Sequence, residues 1–215
     1  ETQVHTNEWG YALVPAKQFY DLFENHKMAL FDLNVRYYLN RSFINKGIIE
    51  TLLHAKTQKT FHLLNNGITI SCTNWQFNEN EGWFSLTQPQ IINGCQTTIS
   101  IYRAYNQIKE ESTRRSFEEK CLVPVRIIKT NQEELLGEIV TASNNQNKMS
   151  PRNLRSNDRA QRNLHKKFDQ LTYRWFYERK DGEFESSKLY AKNNIKNYQY
   201  KSGFRSISND DIAKS

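Results

Sequence analysis

Gln90-Ile91-Ile92-Asn93-Gly94-Cys95-Gln96-Thr97-Thr98-Ile99-Ser100-Ile101 is the stretch on which the fold turns. A short apolar strand ends at an Asn-Gly pair, and small polar residues then open a run with the spacing of an amphipathic helix. A strand entering a helix this way aims the helix's first N–H groups beyond the strand end, where an anion can sit. The plainer account has Gly94 take a positive φ while Thr97 or Thr98 caps the helix, with no ligand involved. Either account places a strand-to-helix unit over residues 89–110.

Working upstream, residues 75–78 and 83–86 flank Glu79-Asn80-Glu81-Gly82 and predict a hairpin. Residues 61–64 and 68–72 flank Asn65-Asn66-Gly67 and read as another, because Asn and Gly supply the positive-φ positions of tight turns. Residues 11–15 read as a strand and 16–23 as a helix with Phe19, Leu22 and Phe23 on one side. Residues 31–38 read as a strand, and a helix is expected over 44–55.

Downstream, residues 122–129 are almost continuously apolar, the pattern of a central strand. Asn131 then caps a helix with Glu133 and Glu134 in its first turn and Leu135, Leu136, Ile139 and Val140 on its buried face. The helix runs out at Ser143-Asn144-Asn145-Gln146-Asn147, a polar loop, because consecutive amides compete with helix interior. Ser150-Pro151 is a second helix start. Ser156 caps a helix to about residue 171, with Ala160, Leu164, Phe168 and Leu171 toward the core and Arg159, Arg162, Lys166 and Lys167 elsewhere. Residues 173–177 read as a strand turned back by Asp181-Gly182. Residues 187–205 show no period and are expected to be mobile or ordered by a partner. Residues 208–215 look like the start of a further helix.

Hairpins and single strands mixed with helices define an α+β domain, a mixed sheet packed against helices with a helical, basic C-terminal part. The expected division is an N-terminal extension (1–30), the α+β domain (31–185) and a basic mobile segment with the start of a cut helix (186–215). The chain begins without Met and stops inside that helix, so it reads as a piece of a longer protein. No apolar run approaches the roughly 20 residues needed to span a bilayer. The three cysteines, Cys72, Cys95 and Cys121, are odd in number and far apart, which argues against a disulfide framework or a zinc site and for a reducing cytoplasm.

The net charge of +7 is unevenly placed. Residues 1–147 hold 14 Lys and Arg against 15 Asp and Glu, whereas residues 148–215 hold 16 against 8. A clustered positive face beside aromatics is the footprint of a polyanion partner; a solvated basic surface is the alternative.

Polar clusters recur at the ends of expected elements: Asn65-Asn66-Gly67, Asn93-Gly94, Asn144-Asn145-Gln146-Asn147 and Glu178-Arg179-Lys180. Each has a local explanation as a turn or loop, and together they describe a pocket. Asn66, Asn93, Gln96, Asn144, Asn145 and Asn147 offer donors and acceptors without charge, suited to a base edge or sugar-phosphate. The start of the helix at Gly94, Thr97 and Thr98 would hold phosphate, with Arg155, Arg179 and Lys180 adding charge. Enzyme signatures are poor: the five histidines show no His-x-x-x-His pair, and no Gly-x-Ser-x-Gly or Walker-type loop occurs. Asp158, Glu178 and Glu183 are candidate catalytic residues of a metal-dependent nuclease, which would need Mg²⁺.

Taken in order, Phe31-Asp-Leu-Asn-Val-Arg36 to Asn40, Phe61-His-Leu-Leu-Asn-Asn-Gly-Ile-Thr69, Gln90-Ile-Ile-Asn-Gly-Cys-Gln-Thr-Thr98, Val123-Pro-Val-Arg-Ile127, Ala142-Ser-Asn-Asn-Gln-Asn147, Leu154-Arg-Ser-Asn-Asp158 with Gln161, and Tyr177-Glu-Arg-Lys-Asp-Gly-Glu183 resemble the abortive-infection phage-resistance (AIPR) family. The resemblance spans roughly residues 31–185 and implies bacterial defence, in which an infected cell blocks phage multiplication. Asn93-Gly94-Cys95-Gln96 is also similar to the Asp-Gly-Gln/His turn of the ParB and sulfiredoxin-like superfamily, some of whose members bind nucleotides or DNA there. Asn93 replaces the acid of that turn, and Thr97 and Thr98 stand where an Arg is common. The likeness therefore implies phosphate binding more than nucleotide hydrolysis.

The preferred expectation is a cytoplasmic antiphage domain that binds nucleic acid or a nucleotide through the amide pocket and the basic face. The alternatives are the nuclease and a non-catalytic module that senses a phage or host protein.

Overall fold

The computed structural model describes residues 4–5, 8–35, 43–144, 155–200 and 203–212, which fall into two compact units: residues 1–34 with 41–143, and residues 35–40 with 144–215.

The first unit is built on a five-stranded mixed sheet of β1 (Val4–His5), β2 (Trp9–Pro15), β3 (Ile68–Cys72), β6 (Gln90–Asn93) and β7 (Leu122–Lys129), in the order β1-β2-β7-β3-β6. β7 is central as its apolar run predicts, antiparallel to β2 and parallel to β3. One face carries Ala12, Val123, Val125, Ile127, Ile68, Ile70 and Ile91, all buried. Helices α1 (Ala16–His26), α5 (Cys95–Gln107) and α6 (Glu111–Lys120) lie on this side. α5 runs between α1 and α2 (Phe43–Leu53), so it is buried almost all round in its first two turns, with Ile99 and Ile101 fully enclosed. Burial of such an aliphatic side chain contributes about 1.5–3 kcal/mol. β4 (Asn74–Asn78) and β5 (Trp83–Thr87) form the expected second hairpin, with Phe77 and Phe84 in register and their rings 4.7 Å apart. α7 (Glu133–Asn144) follows β7.

Several expectations are corrected. Residues 61–64 are not a hairpin strand: Phe61–Leu64 forms a helical turn, α4, that buries Phe61 and exposes Leu63 and Leu64. β3 pairs instead with β7 and β6. Phe31 closes a 3-10 turn, Lys27–Phe31, so residues 31–35 contain no strand; residues 36–40 lie outside the described residues. α3 (Ala55–Gln58) and α6 had no counterpart in the sequence reading. On α7 only Val140 is buried, while Leu135 is exposed.

In the second unit, α8 (Arg159–Asp169) begins after Asp158 at the N-cap position instead of at Ser156. Ala160 and Leu171 are exposed; Gln161, Leu164, His165 and Phe168 form its half-buried side. β8 (Phe176–Glu178) pairs in parallel with residues 206–208, and Asp181-Gly182 leads into α9 (Glu183–Tyr190) instead of a returning strand. Residues 187–205, expected to be mobile, carry a helical turn (Lys192–Ile195), a 3-10 turn (Lys196–Tyr198) and a small antiparallel strand pair. Ile195 and Tyr198 join Phe176 and Phe184 in the unit's core. Residues 145–154, including Ser150-Pro151, lie outside the described residues.

Candidate functional site

Two glycines draw the first unit's polar turns together. Gly67 has φ 79°, and a β-carbon there would sit 2.3 Å from the Pro124 carbonyl oxygen on β7. Gly94 has φ 105° at the N-cap of α5, where a β-carbon would lie 2.8 Å from Ile68 Cγ1 and 3.1 Å from the Gly67 carbonyl oxygen. The start of β3 and the end of β6 are thus packed backbone to backbone. Asn65 Oδ1 accepts hydrogen bonds from the Gly67 N–H (2.9 Å) and the Thr97 hydroxyl (3.3 Å), tying the loop to the first turn of α5.

The expected pocket residues separate on inspection of this corner. Asn66 is exposed, and Asn93 and Gln96 are half-buried. Asn93 Nδ2 donates to the Ser143 carbonyl at 2.6 Å, bringing the end of α7 to the Gly94 turn. Asn144 closes α7, while Asn145 and Asn147 lie outside the described residues. Thr97 and Thr98 are buried, and Thr98 returns its N–H and its hydroxyl to the Gly94 carbonyl.

The charged candidates belong to the second unit. Glu183 is buried, and its carboxylate accepts the Arg179 N–H (2.7 Å) and pairs with the Arg179 guanidinium (3.3 Å). Asn209 donates to the Arg179 carbonyl at 3.0 Å. Lys180 is 1% exposed, and Arg179 is half-buried with its guanidinium paired to Glu183 at the turn before α9. Burial pushes the Glu178 carboxyl up, helped by the nearby charges of Glu183 and Asp181, while the Phe184 and Gly182 N–H groups pull the other way. Asp158 is exposed at the head of α8. Among the described residues no group of three or more His, Cys, Asp or Glu is placed to hold a metal ion.

The exposed cations lie on α8 and just before it. Arg155, Arg159, Arg162, Lys166 and Lys167 are all exposed, and no acid interrupts the sequence from Arg159 to Phe168. At 100° per residue the four helical cations fall within one side of α8, opposite Gln161, Leu164, His165 and Phe168.

A second group was missed in the sequence. Tyr11, Arg126 and Thr69 stand in one cross-strand row over β2, β7 and β3, on the sheet face opposite the buried row of Ala12, Val125 and Ile68, and Asn93 pairs with Thr69 across a register shift in the β3–β6 ladder. Tyr11 and Arg126 are exposed, as is Trp9, which shares this face. The signal was present: an Arg inside an otherwise apolar central strand marks a place where one sheet face is open. A cleft of about 1030 Å³ opens near the other end of β3, lined by Leu22, Leu30, Leu33, Leu86 and Leu136 together with polar groups including Asp32, Gln90 and Glu133.

Residues 31–215 match the family model described as AIPR protein, and the chain belongs to that family. Its setting is therefore abortive-infection defence against phage. No curated protein and no solved structure matches the chain. No helix among the described residues is long and apolar enough to cross a membrane.

Proposed function

We propose that the chain is a nucleic-acid-binding part of an abortive-infection system acting in the cytoplasm. The observation that carries this reading is the exposed cationic side of α8, where Arg159, Arg162, Lys166 and Lys167 stand without an intervening acid. Arg159 and Lys166 are about 10 Å apart along the axis, so the face can neutralise successive phosphates of a strand. Arg155 extends it at the N-terminal end. The charge role first given to Arg179 and Lys180 passes to this face, because Lys180 is buried and the Arg179 guanidinium is paired to Glu183. In the first unit, Asn66, Asn93 and Gln96 supply uncharged donors and acceptors for a base or sugar around the Gly67 and Gly94 turns, and a mononucleotide is the smallest ligand of that corner.

The test is fluorescence anisotropy of a labelled oligonucleotide titrated with protein between about 50 and 200 mM salt, where log K falls with a slope of about −0.9 per neutralised phosphate. Replacing Arg159, Arg162, Lys166 and Lys167 with Ala lowers affinity and flattens the slope by about one unit per contact removed. Absent or salt-insensitive binding overturns the proposal. Tight capture of a protein without oligonucleotide affinity would do so as well.

A further inference from the structure

We propose that the exposed patch formed by Trp9 and Tyr11 of β2 and Arg126 of β7 is a stacking platform for single-stranded nucleic acid, with Trp9 and Tyr11 receiving bases and Arg126 contacting the backbone or an adjacent base. The proposal rests on the reading that the chain binds nucleic acid, and it names the form bound.

Trp9 and Tyr11 are two residues apart on β2 and so project to the same face, about 6.8 Å apart along the strand. Their rings meet edge to face, with centroids 5.8 Å apart. Water-exposed aromatic pairs are uncommon where a sheet has a core to face, and here the adjoining positions Gly10 and Ala12 turn the other way and are buried. Trp9 is 37% and Tyr11 49% exposed. The alternation leaves the two large rings toward solvent.

Charge decides the occupant. Arg126 stands directly opposite Tyr11 in the β2–β7 ladder and is exposed, so a guanidinium lies beside the ring that would take a base. A base stacks on either group, and a phosphate pairs with the cation. The same row continues to Thr69 on β3, two strand spacings or about 10 Å from Tyr11, and Asn93 pairs with Thr69 across a register shift. Asn93 gives its Nδ2 donor to Ser143, which leaves Oδ1 as the group that would accept from a base edge. Ring, cation and hydroxyl in one line match a short unpaired strand laid across the sheet. A duplex is excluded from this contact because its bases are stacked on each other.

Affinity is measured by anisotropy for a labelled oligo-dT and for a duplex of the same length, on wild type, on Trp9→Leu with Tyr11→Leu, on Tyr11→Phe, on Arg126→Gln, and on the α8 alanine variant. The double leucine variant is expected to weaken single-strand binding about tenfold or more while leaving duplex binding within about twofold, from the usual worth of base–aromatic stacking. Tyr11→Phe retains binding, and Arg126→Gln weakens it. Unchanged single-strand affinity in the double variant, with the α8 variant still impaired, overturns the platform and leaves nucleic-acid binding standing. Wild type that binds neither oligonucleotide overturns both. Should the double variant melt earlier than wild type, photocrosslinking of wild-type protein to an iodouracil-containing strand decides the matter. Adducts on the peptide carrying Trp9 and Tyr11 support the platform, and adducts confined elsewhere overturn it.

Discussion

The amide of Asn93 donates to the carbonyl of Ser143 at 2.6 Å, joining the end of β6 to the end of α7 fifty residues later. An amide suits this position, because a carboxylate has no proton to give and would face the carbonyl with like polarity. Asn93→Asp is expected to destabilise the first unit by about 1–3 kcal/mol, the cost of losing a donor at a part-buried acceptor. Urea unfolding, read as a lower midpoint at unchanged slope, checks it.

Gly67→Ala is expected to cost more than any other single methyl addition in this corner, about 2–4 kcal/mol. The added carbon would stand 2.3 Å from the Pro124 carbonyl oxygen, which belongs to the central strand and cannot yield as a side chain could. Gly94→Ala meets Ile68 at 2.8 Å at a comparably unfavourable φ and should cost less, since its nearest obstacle is the movable Cγ1. Equal midpoints for the two variants would count against this account.

Glu178 gives the second unit a pH dependence of defined sign. Its folded-state pKa is raised above the ordinary value of 4.5, chiefly by burial, so the stability it confers is present below that value and lost as pH rises through the folded pKa. Glu178→Gln keeps the neutral shape at every pH. The melting temperature of the variant minus that of wild type should therefore grow on going from acid toward neutral pH. A difference that shrinks over that interval contradicts the assignment.

The three thiols should be inert in the folded protein. Cys72, Cys95 and Cys121 are all buried, and burial pushes Cys72 to about 11 and Cys121 to about 12. Only the thiolate reacts. A thiol-specific disulfide reagent near neutral pH is expected to label these cysteines slowly in native conditions and at once in denaturant.

How far the sequence was legible follows from element length and from what each element packs against. β7, α5 and the β4–β5 hairpin were readable because each has one dominant pattern. The Asn65-Asn66-Gly67 turn misled because its chemistry fits a tight hairpin, whereas Gly67 is required by close approach to Pro124, a long-range contact with no local signature. α6 was invisible because it buries only Ser116 and Phe117, too little to print a period on ten mostly charged residues. Residues 187–205 escaped because their elements are two to four residues long beyond α9, shorter than one hydrophobic repeat. For the candidate site, the amide turns were visible as a list of motifs, but only the strand register aligns Tyr11, Arg126 and Thr69. The burial of Lys180 and the half-burial of Arg179 were hidden because charged residues beside a Gly turn ordinarily face water.

The position of β7 also bears on how the protein is made. β2 leaves the ribosome more than a hundred residues ahead of Lys129 and can pair with β1, and β3 can pair with β6, yet the two halves of the sheet are joined only when β7 is threaded between β2 and β3. The nascent chain therefore carries unsatisfied β2 and β3 edges until β7 emerges, and the sheet closes in a non-local step that is slow compared with helix formation. A chain stalled before residue 122 holds its helices without the strand that unites them, and it is the form that chaperones would be expected to retain.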